Sequence, residues 1–246
     1  MIGPIVNSCA TLVGGTVGGV LGDKIPEKYR VALPLTFGAA SMGMGIAMVV
    51  KMHMLPAVIF SLLVGAIIGE FLNLEKNISK VANKSRGFIE RVFPVKSGSG
   101  LTQDEFIDKY VGIVVLFVAS GTGIFGSMSE GITGDPSILF AKSVLDILTA
   151  AIFATSLGLS VAAICIPQFI VQAILFFLGA AIMSMTNANM VADFSALGGI
   201  IMFVTGFRIA GIKSFPVANL IPGLFIVMPV SAFWVSTLLP WIHTLS

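Results

Sequence analysis

The chain has 246 residues, 56% of them hydrophobic and 11% charged, with a formal net charge of +2 and a mean hydropathy of +1.01. A soluble domain carries about a quarter charged residues. So low a charge density, with long apolar runs, excludes an ordinary soluble or nucleic-acid-binding protein and gives an all-α, polytopic bundle of transmembrane helices.

A span needs ~20 mainly apolar residues. Eight stretches qualify: 3–22, 31–50, 54–73, 109–128, 137–157, 161–184, 194–212 and 217–240. The fifth and sixth are separated only by GLSV, so they are two spans or one broken element. The chain reads as a single transmembrane domain with four parts: 1–73, 74–108, 109–160 and 161–246.

The first span opens MIGPIVNSCATLVGG, without a basic n-region, and reads as a span rather than a cleavable signal peptide. In GGTVGGVLG, Gly14, Gly18 and Gly22 share one face, with Gly15 and Gly19 beside them. That spacing lets helix backbones approach closely, within the subunit or in a homo-oligomer. Gly65 and Gly69 repeat it in span three. Cys9 and Cys165 lie in apolar segments and are expected to be small buried thiols, not a disulfide framework or a zinc site.

Short-loop Lys and Arg set the orientation. The loop 23–30 holds Lys24, Lys28 and Arg30, and 74–109 holds Lys76, Lys80, Lys84, Arg86, Arg91, Lys96 and Lys109. Both are placed in the cytoplasm, with Arg208 and Lys213. The acidic loop SEGITGDP at 129–136 falls outside, as do both termini and, against the rule, Lys51. Within 74–108, Leu74, Ile78, Val81, Phe88 and Val92 recur at roughly helical spacing between basic residues, as in a surface helix extending from span three or one lying on anionic lipid. PVKSGSG at 94–100 is a linker, and Thr102 with Glu105 forms a capping box before span four.

The densest polar stretch is ASGTGIFGSMSEGITGDPS, 119–137. Its Ser120, Thr122, Ser127 and Glu130 sit among glycines that weaken a helix. Either span four is a broken helix whose freed backbone lines a path, or the helix ends near Gly126 and a loop follows. Pro136, with Asp135 as cap, opens span five, which carries Lys142, Ser143 and Asp146. At 1.5 Å per residue, Asp146 lies ~15 Å in, near the midplane. Lys142 can snorkel to water, whereas Asp146 is too short. The pair is functional, or it locks helix packing. Asn7, Gln172 and Asn219, beside the helix-kinking Pro222, are further polar candidates.

IVNSCATLVGG at 5–15 resembles IVQAILFFLGA at 170–180, aligning Asn7 with Gln172. FGAASMGMGIAMVVKMHMLPA at 37–57 resembles LGGIIMFVTGFRIAGIKSFPVA at 197–218. Spans 1–3 then match spans 6–8. The odd offset of five spans inverts the halves, an arrangement of secondary transporters. Enzyme readings lack their parts: the histidines are His53 and His243, and there is no HExxH, CxxC or GxSxG.

GSMSEGITGDPSILFAKSVLDILTAAIFATSLG (126–158), GEFLNLEKNISK (69–80) and NLIPGL (219–224) resemble the DUF554 family of bacterial membrane proteins, nearly end to end. The resemblance implies a multi-pass protein of the bacterial plasma (inner) membrane and places Glu130, Asp135, Lys142 and Asp146 in a signature block. The family pattern has Gly after that Asp where this chain has Ile147, which argues against close backbone packing there. The reading that results is a transporter or channel for a small solute or ion, in which Asp146 binds a cation, a proton, a cationic group or one end of a zwitterion and Lys142 tunes it. The alternative is a non-transporting sensor or scaffold acting through the basic segment. Neither reading calls for a cofactor.

Overall fold

A computed structural model of the chain describes residues 1–21, 26–84, 103–118, 120–238 and 240. Gly22, Lys24, Phe88, Val92, the linker 94–100, Thr102 and His243 lie outside the described residues. Every regular element among those described is helical: α1 Ile2–Leu21, α2 Glu27–Val49, α3 Leu55–Phe71, α4 Leu74–Lys84, α5 Gln103–Val118, α6 Gly121–Thr133, α7 Ser137–Leu157, α8 Cys165–Ile182, α9 Ala188–Ile209 and α10 Pro222–Phe233. Short 3-10 turns at Gly158–Ile164 and Val217–Leu220 precede α8 and α10. Six stretches are long and apolar enough to cross a membrane, or seven when α3 is joined to the start of α4 across a 45° bend.

One of the six, Ser137–Met185, is 49 residues long. It is not one straight rod. Gly158, at φ 66°, breaks it with a backbone that other residues rarely adopt. The partners of α1 give the direction of each limb. Gly14 lies on the Ile147 backbone and Gly18 on Ala151, whereas Gly15 lies on Ala162 and Gly19 on Leu159. Hence α1 runs parallel to α7 and antiparallel to the chain that returns through α8.

The glycine face of α1 is therefore used inside the subunit. A Cβ on Gly14 would stand 2.1 Å from the Ile147 carbonyl oxygen, and one on Gly18 would stand 2.0 Å from that of Ala151. Of the two uses open to this face, Gly14 and Gly18 serve the one within the subunit. The contact corrects the expectation at Ile147: the backbones do meet there, and Gly14 supplies the room. Three further pairs complete the bundle by the same device, α2 with α9 and α3 with α10 antiparallel and α6 with α8 parallel. On α2 and α9, Gly38 meets Gly206 and Gly45 meets Gly199. On α3 and α10, Gly65 meets Gly223. On α6 and α8, Gly131 meets Phe176 and Gly179 meets Met128.

Large apolar side chains face outward, including Ile67, Phe71, Val144, Ile166, Ile174 and Phe177, while Asn7, Gln168, Gln172, Glu130, Lys142, Asp146 and Asp193 are buried. That polarity suits a lipid surround. Cys9 is exposed and Cys165 half-buried, against expectation. Both line an outer apolar groove with Ile5, Leu12, Ile166 and Ile170.

Candidate functional site

The polar stretch at 119–137 is resolved as a broken helix, not a loop. α5 ends at Val118, Ser120 is extended (φ −67°, ψ 132°), and α6 restarts at Gly121 and continues to Thr133. Ser120 Oγ accepts the backbone N–H of Gly123 at 3.2 Å, capping the new helix. All of Gly121–Ile132 is buried. Glycine makes this burial practicable: Gly121 fits against Ile201 and Thr205, and Gly126 fits against Leu139. Gly134, at φ 76°, ends α6, and Asp135 accepts the N–H of Ser137 at 3.0 Å as α7 begins.

Beside the break lies a cavity of 30 Å³ whose lining includes Ser41, Phe117, Ser120, Thr122, Lys142 and Asp146. That volume holds a water. A narrower gap, sharing Leu116 and Ser120, continues past Thr205 to Arg208.

Lys142 does not snorkel. It is 3% exposed, because α1 and α6 cover the face of α7 that carries it. Its Nζ pairs with Asp146 Oδ2 and lies 5.6 Å from the centre of the Phe117 ring. The same carboxylate oxygen accepts from Asn7 Nδ2 at 2.8 Å and Gln168 Nε2 at 3.0 Å. The ionised Asp146 fixes the remaining amides, because it only accepts. Asn7 must donate to it, so Asn7 Oδ1 receives Gln168 Nε2 at 2.7 Å and Gln172 Nε2 at 2.6 Å. Gln168 Oε1 then receives the Thr11 hydroxyl at 2.7 Å. Gln172 Oε1 ends the chain, buried and without a donor among the described residues.

The structure thus brings together Lys142, Asp146, Asn7, Gln172, Ser120 and Thr122. It leaves four expected site residues elsewhere. Ser127 and Ser143 return their hydroxyls to Gly123 O and Leu139 O on their own helices. Glu130 caps α1, accepting from Ile2 N at 2.8 Å and from the amine of Met1 at 3.0 Å. Asn219 lies at the far end, donating to Glu70 Oε2 and accepting from Glu75 N. There Glu75 also pairs with Arg208 at 2.6 Å and accepts from Ala218 N.

Sequence reasoning missed Gln168, Thr11 and Asp193. Gln168 and Gln172 stand one turn apart in an apolar helix, a signal that was available. Asp193 lies just before the expected span 194–212, yet α9 starts at Ala188 and buries it completely. It accepts from His53 N, Met54 N and Ser231 Oγ, tying the turn before α3 to α10.

The model of the family described as "Protein of unknown function (DUF554)" matches residues 2–232. The chain is 48% identical over 234 residues to "Uncharacterized protein YqgA" of Escherichia coli (strain K12), covering 95% of this chain and 97% of that one. It is 26% identical over 231 residues to "Uncharacterized membrane protein YdfK" of Bacillus subtilis (strain 168), covering 92% and 93%. No solved structure matches. With a buried polar knot inside a bundle of apolar helices, and with matches that run nearly end to end, this chain belongs to the DUF554 family.

Proposed function

We propose that the protein is a membrane transporter or channel in which a small solute or ion passes the cavity lined by Lys142 and Asp146. The carrying observation is a buried ion pair that lines a cavity at a helix break. Charges inside a membrane are costly and mark functional sites by default. Irregular backbone at that depth is tolerated where protein or a water-filled cavity satisfies it.

An inverted repeat supports the reading. Glu27 and Ala188 open α2 and α9, and they stand the same 161 residues apart as Asn7 and Gln168, which are hydrogen-bonded, and as Ser41 and Met202, which are too. Around a two-fold axis a residue near the axis touches its own counterpart, and off-axis contacts occur in exchanged pairs. Gly38–Gly206 and Gly45–Gly199 are such a pair. So are the hydrogen bonds Asn7–Gln172 and Thr11–Gln168. This register pairs Asn7 with Gln168, four residues from the match read in the sequence. Secondary transporters bind solute at such a repeat interface.

Counting α7 and α8 separately gives eight crossings. Met1 and Glu130 are in contact, and Lys51 acts electrostatically on Asp135, so the N-terminus, 51–53 and 129–136 share one face. Arg208, Glu75 and the basic α4 share the other, which the charge rule assigns to the cytoplasm of a bacterial plasma membrane. The test is uptake by reconstituted vesicles. The double variant Lys142→Met/Asp146→Asn, which removes both buried charges together, should stay folded and lose flux. Wild-type flux in that variant would remove the core of the reading.

A further inference from the structure

We infer that the cavity binds a small zwitterion, a solute carrying an ammonium and a carboxylate on one carbon, as an α-amino acid of glycine or alanine size does. This rests on reading the cavity as a solute site. Charge balance selects the solute. Lys142 and Asp146 have side-chain exposures of 4% and 11%, so their charges compensate each other with little help from water. A lone cation on Asp146 displaces the Lys142 ammonium and leaves it buried without a counter-ion. A lone anion on Lys142 leaves Asp146 with only the Asn7 and Gln168 amides. Stranding one buried charge weakens binding by roughly 100- to 1000-fold. A zwitterion instead exchanges one internal ion pair for two intermolecular ones, and no charge is left alone.

The site offers a receptor for each end. Asp146 and the Phe117 ring already hold an alkylammonium, that of Lys142, so their geometry suits a solute ammonium in its place. Opposite them is the start of α6, with the Ser120 hydroxyl and Thr122 on the cavity wall. Its first two backbone N–H groups, of Gly121 and Thr122, lack intrahelical acceptors and favour an anion, while that of Gly123 is taken by Ser120 Oγ. Lys142 bridges the two receptors: its Cε lies 3.1 Å from the Cβ position of Gly123 in the first turn of α6. Its ammonium therefore needs only to swing from Asp146 toward that turn to meet a solute carboxylate. The cavity of 30 Å³, enlarged by the volume the lysine head vacates, sets the small size. Leu145 and Phe37 on its wall accept a methyl group but no polar side chain.

The experiment is equilibrium binding to the purified full chain in detergent, by calorimetry, with glycine and alanine set against ethylammonium, propionate and sodium chloride. Glycine or alanine should bind at least ~100-fold more tightly than either single-charge analogue. Binding should vanish in Asp146→Asn and Lys142→Met. It should also vanish in the double variant, whose cooperative unfolding within a few degrees of the wild-type melting temperature shows that the fold is intact. Absence of glycine and alanine binding overturns the inference, as does ethylammonium or sodium binding equally well, or binding that survives in the double variant. Flux is not involved. Alanine bound but never carried would sink transport and leave the inference standing; Asp146-dependent cation flux without alanine binding would do the reverse.

Discussion

Asn7 donates to Asp146 at 2.8 Å, across the contact between α1 and α7, and through it the carboxylate of the site commands three further polar side chains, Gln168, Gln172 and Thr11. Each amide has one consistent orientation, and all follow from the negative charge on Asp146. The network is therefore a read-out of that charge, and the ion pair should be tested as a unit.

Replacing Asp146 by Asn should leave the Lys142 ammonium buried without its partner, and replacing Lys142 by Met should do the same to Asp146. Each single change is expected to cost ~3–5 kcal/mol, whereas the double change costs ~1–2 kcal/mol or less, because no charge remains to be stranded. Thermal unfolding in detergent around the full cycle measures the coupling. Additive single effects would show that water reaches the pair.

The close contacts of α1 make a second prediction with an internal control. A Cβ on Gly14 meets the Ile147 backbone at 2.1 Å, which no side-chain rotation relieves, whereas a Cβ on Gly43 meets nothing within 4 Å. Gly14→Ala should force α1 from α7 and destabilise the protein by ~1–3 kcal/mol. Gly43→Ala should be neutral or stabilise by up to ~1 kcal/mol, since glycine disfavours a helix. Melting temperatures compared in one detergent decide it.

These positions show what was legible. The apolar runs gave the helices because a span must be long and apolar whatever its partners; Ser137–Leu157 matches its expected bounds. The depth of Asp146 was legible because it depends only on rise per residue. The burial of Lys142 was not, since it depends on which helices cover α7, and no single helix encodes its neighbours. Gln168 escaped for a related reason: its partners Thr11 and Asn7 lie 157 and 161 residues away. Glu130 and Asn219 are polar residues in the right kind of segment, but their roles as end clamps follow from backbone N–H groups that only the packed bundle brings within reach.

Acidity should act at the loop between α6 and α7. The Ser137 hydroxyl and backbone N–H donate to Asp135 and hold its carboxyl below the usual range. A depressed folded-state pKa adds stability that is present above the unfolded value and is lost as pH falls through the folded value. The contribution is small, because Asp135 is exposed. Melting curves at neutral and strongly acidic pH should show the wild type ahead of Asp135→Asn only at neutral pH. A gap that persists in acid would contradict the sign.

The last prediction concerns access. The gap beside the cavity shares Leu116 and Ser120 with it and ends at Arg208, which is clamped to Glu75 at 2.6 Å. Glu75 also accepts from Ala218 N, so one side chain ties the start of α4 to the end of α9 and the turn before α10. Toward the opposite face, Gly131 and Gly179 seal α6 against α8 backbone to backbone. Solute should therefore reach Asp146 along the gap, once the Arg208–Glu75 clamp opens. In a background with Cys9 and Cys165 replaced, a cysteine at Ser120 should react with a membrane-impermeant thiol reagent applied from the α4 side. Glu75→Gln should speed that reaction several-fold by releasing Arg208. Labelling from the face that carries Met1 and Glu130, or a rate indifferent to Glu75, would place the entrance elsewhere.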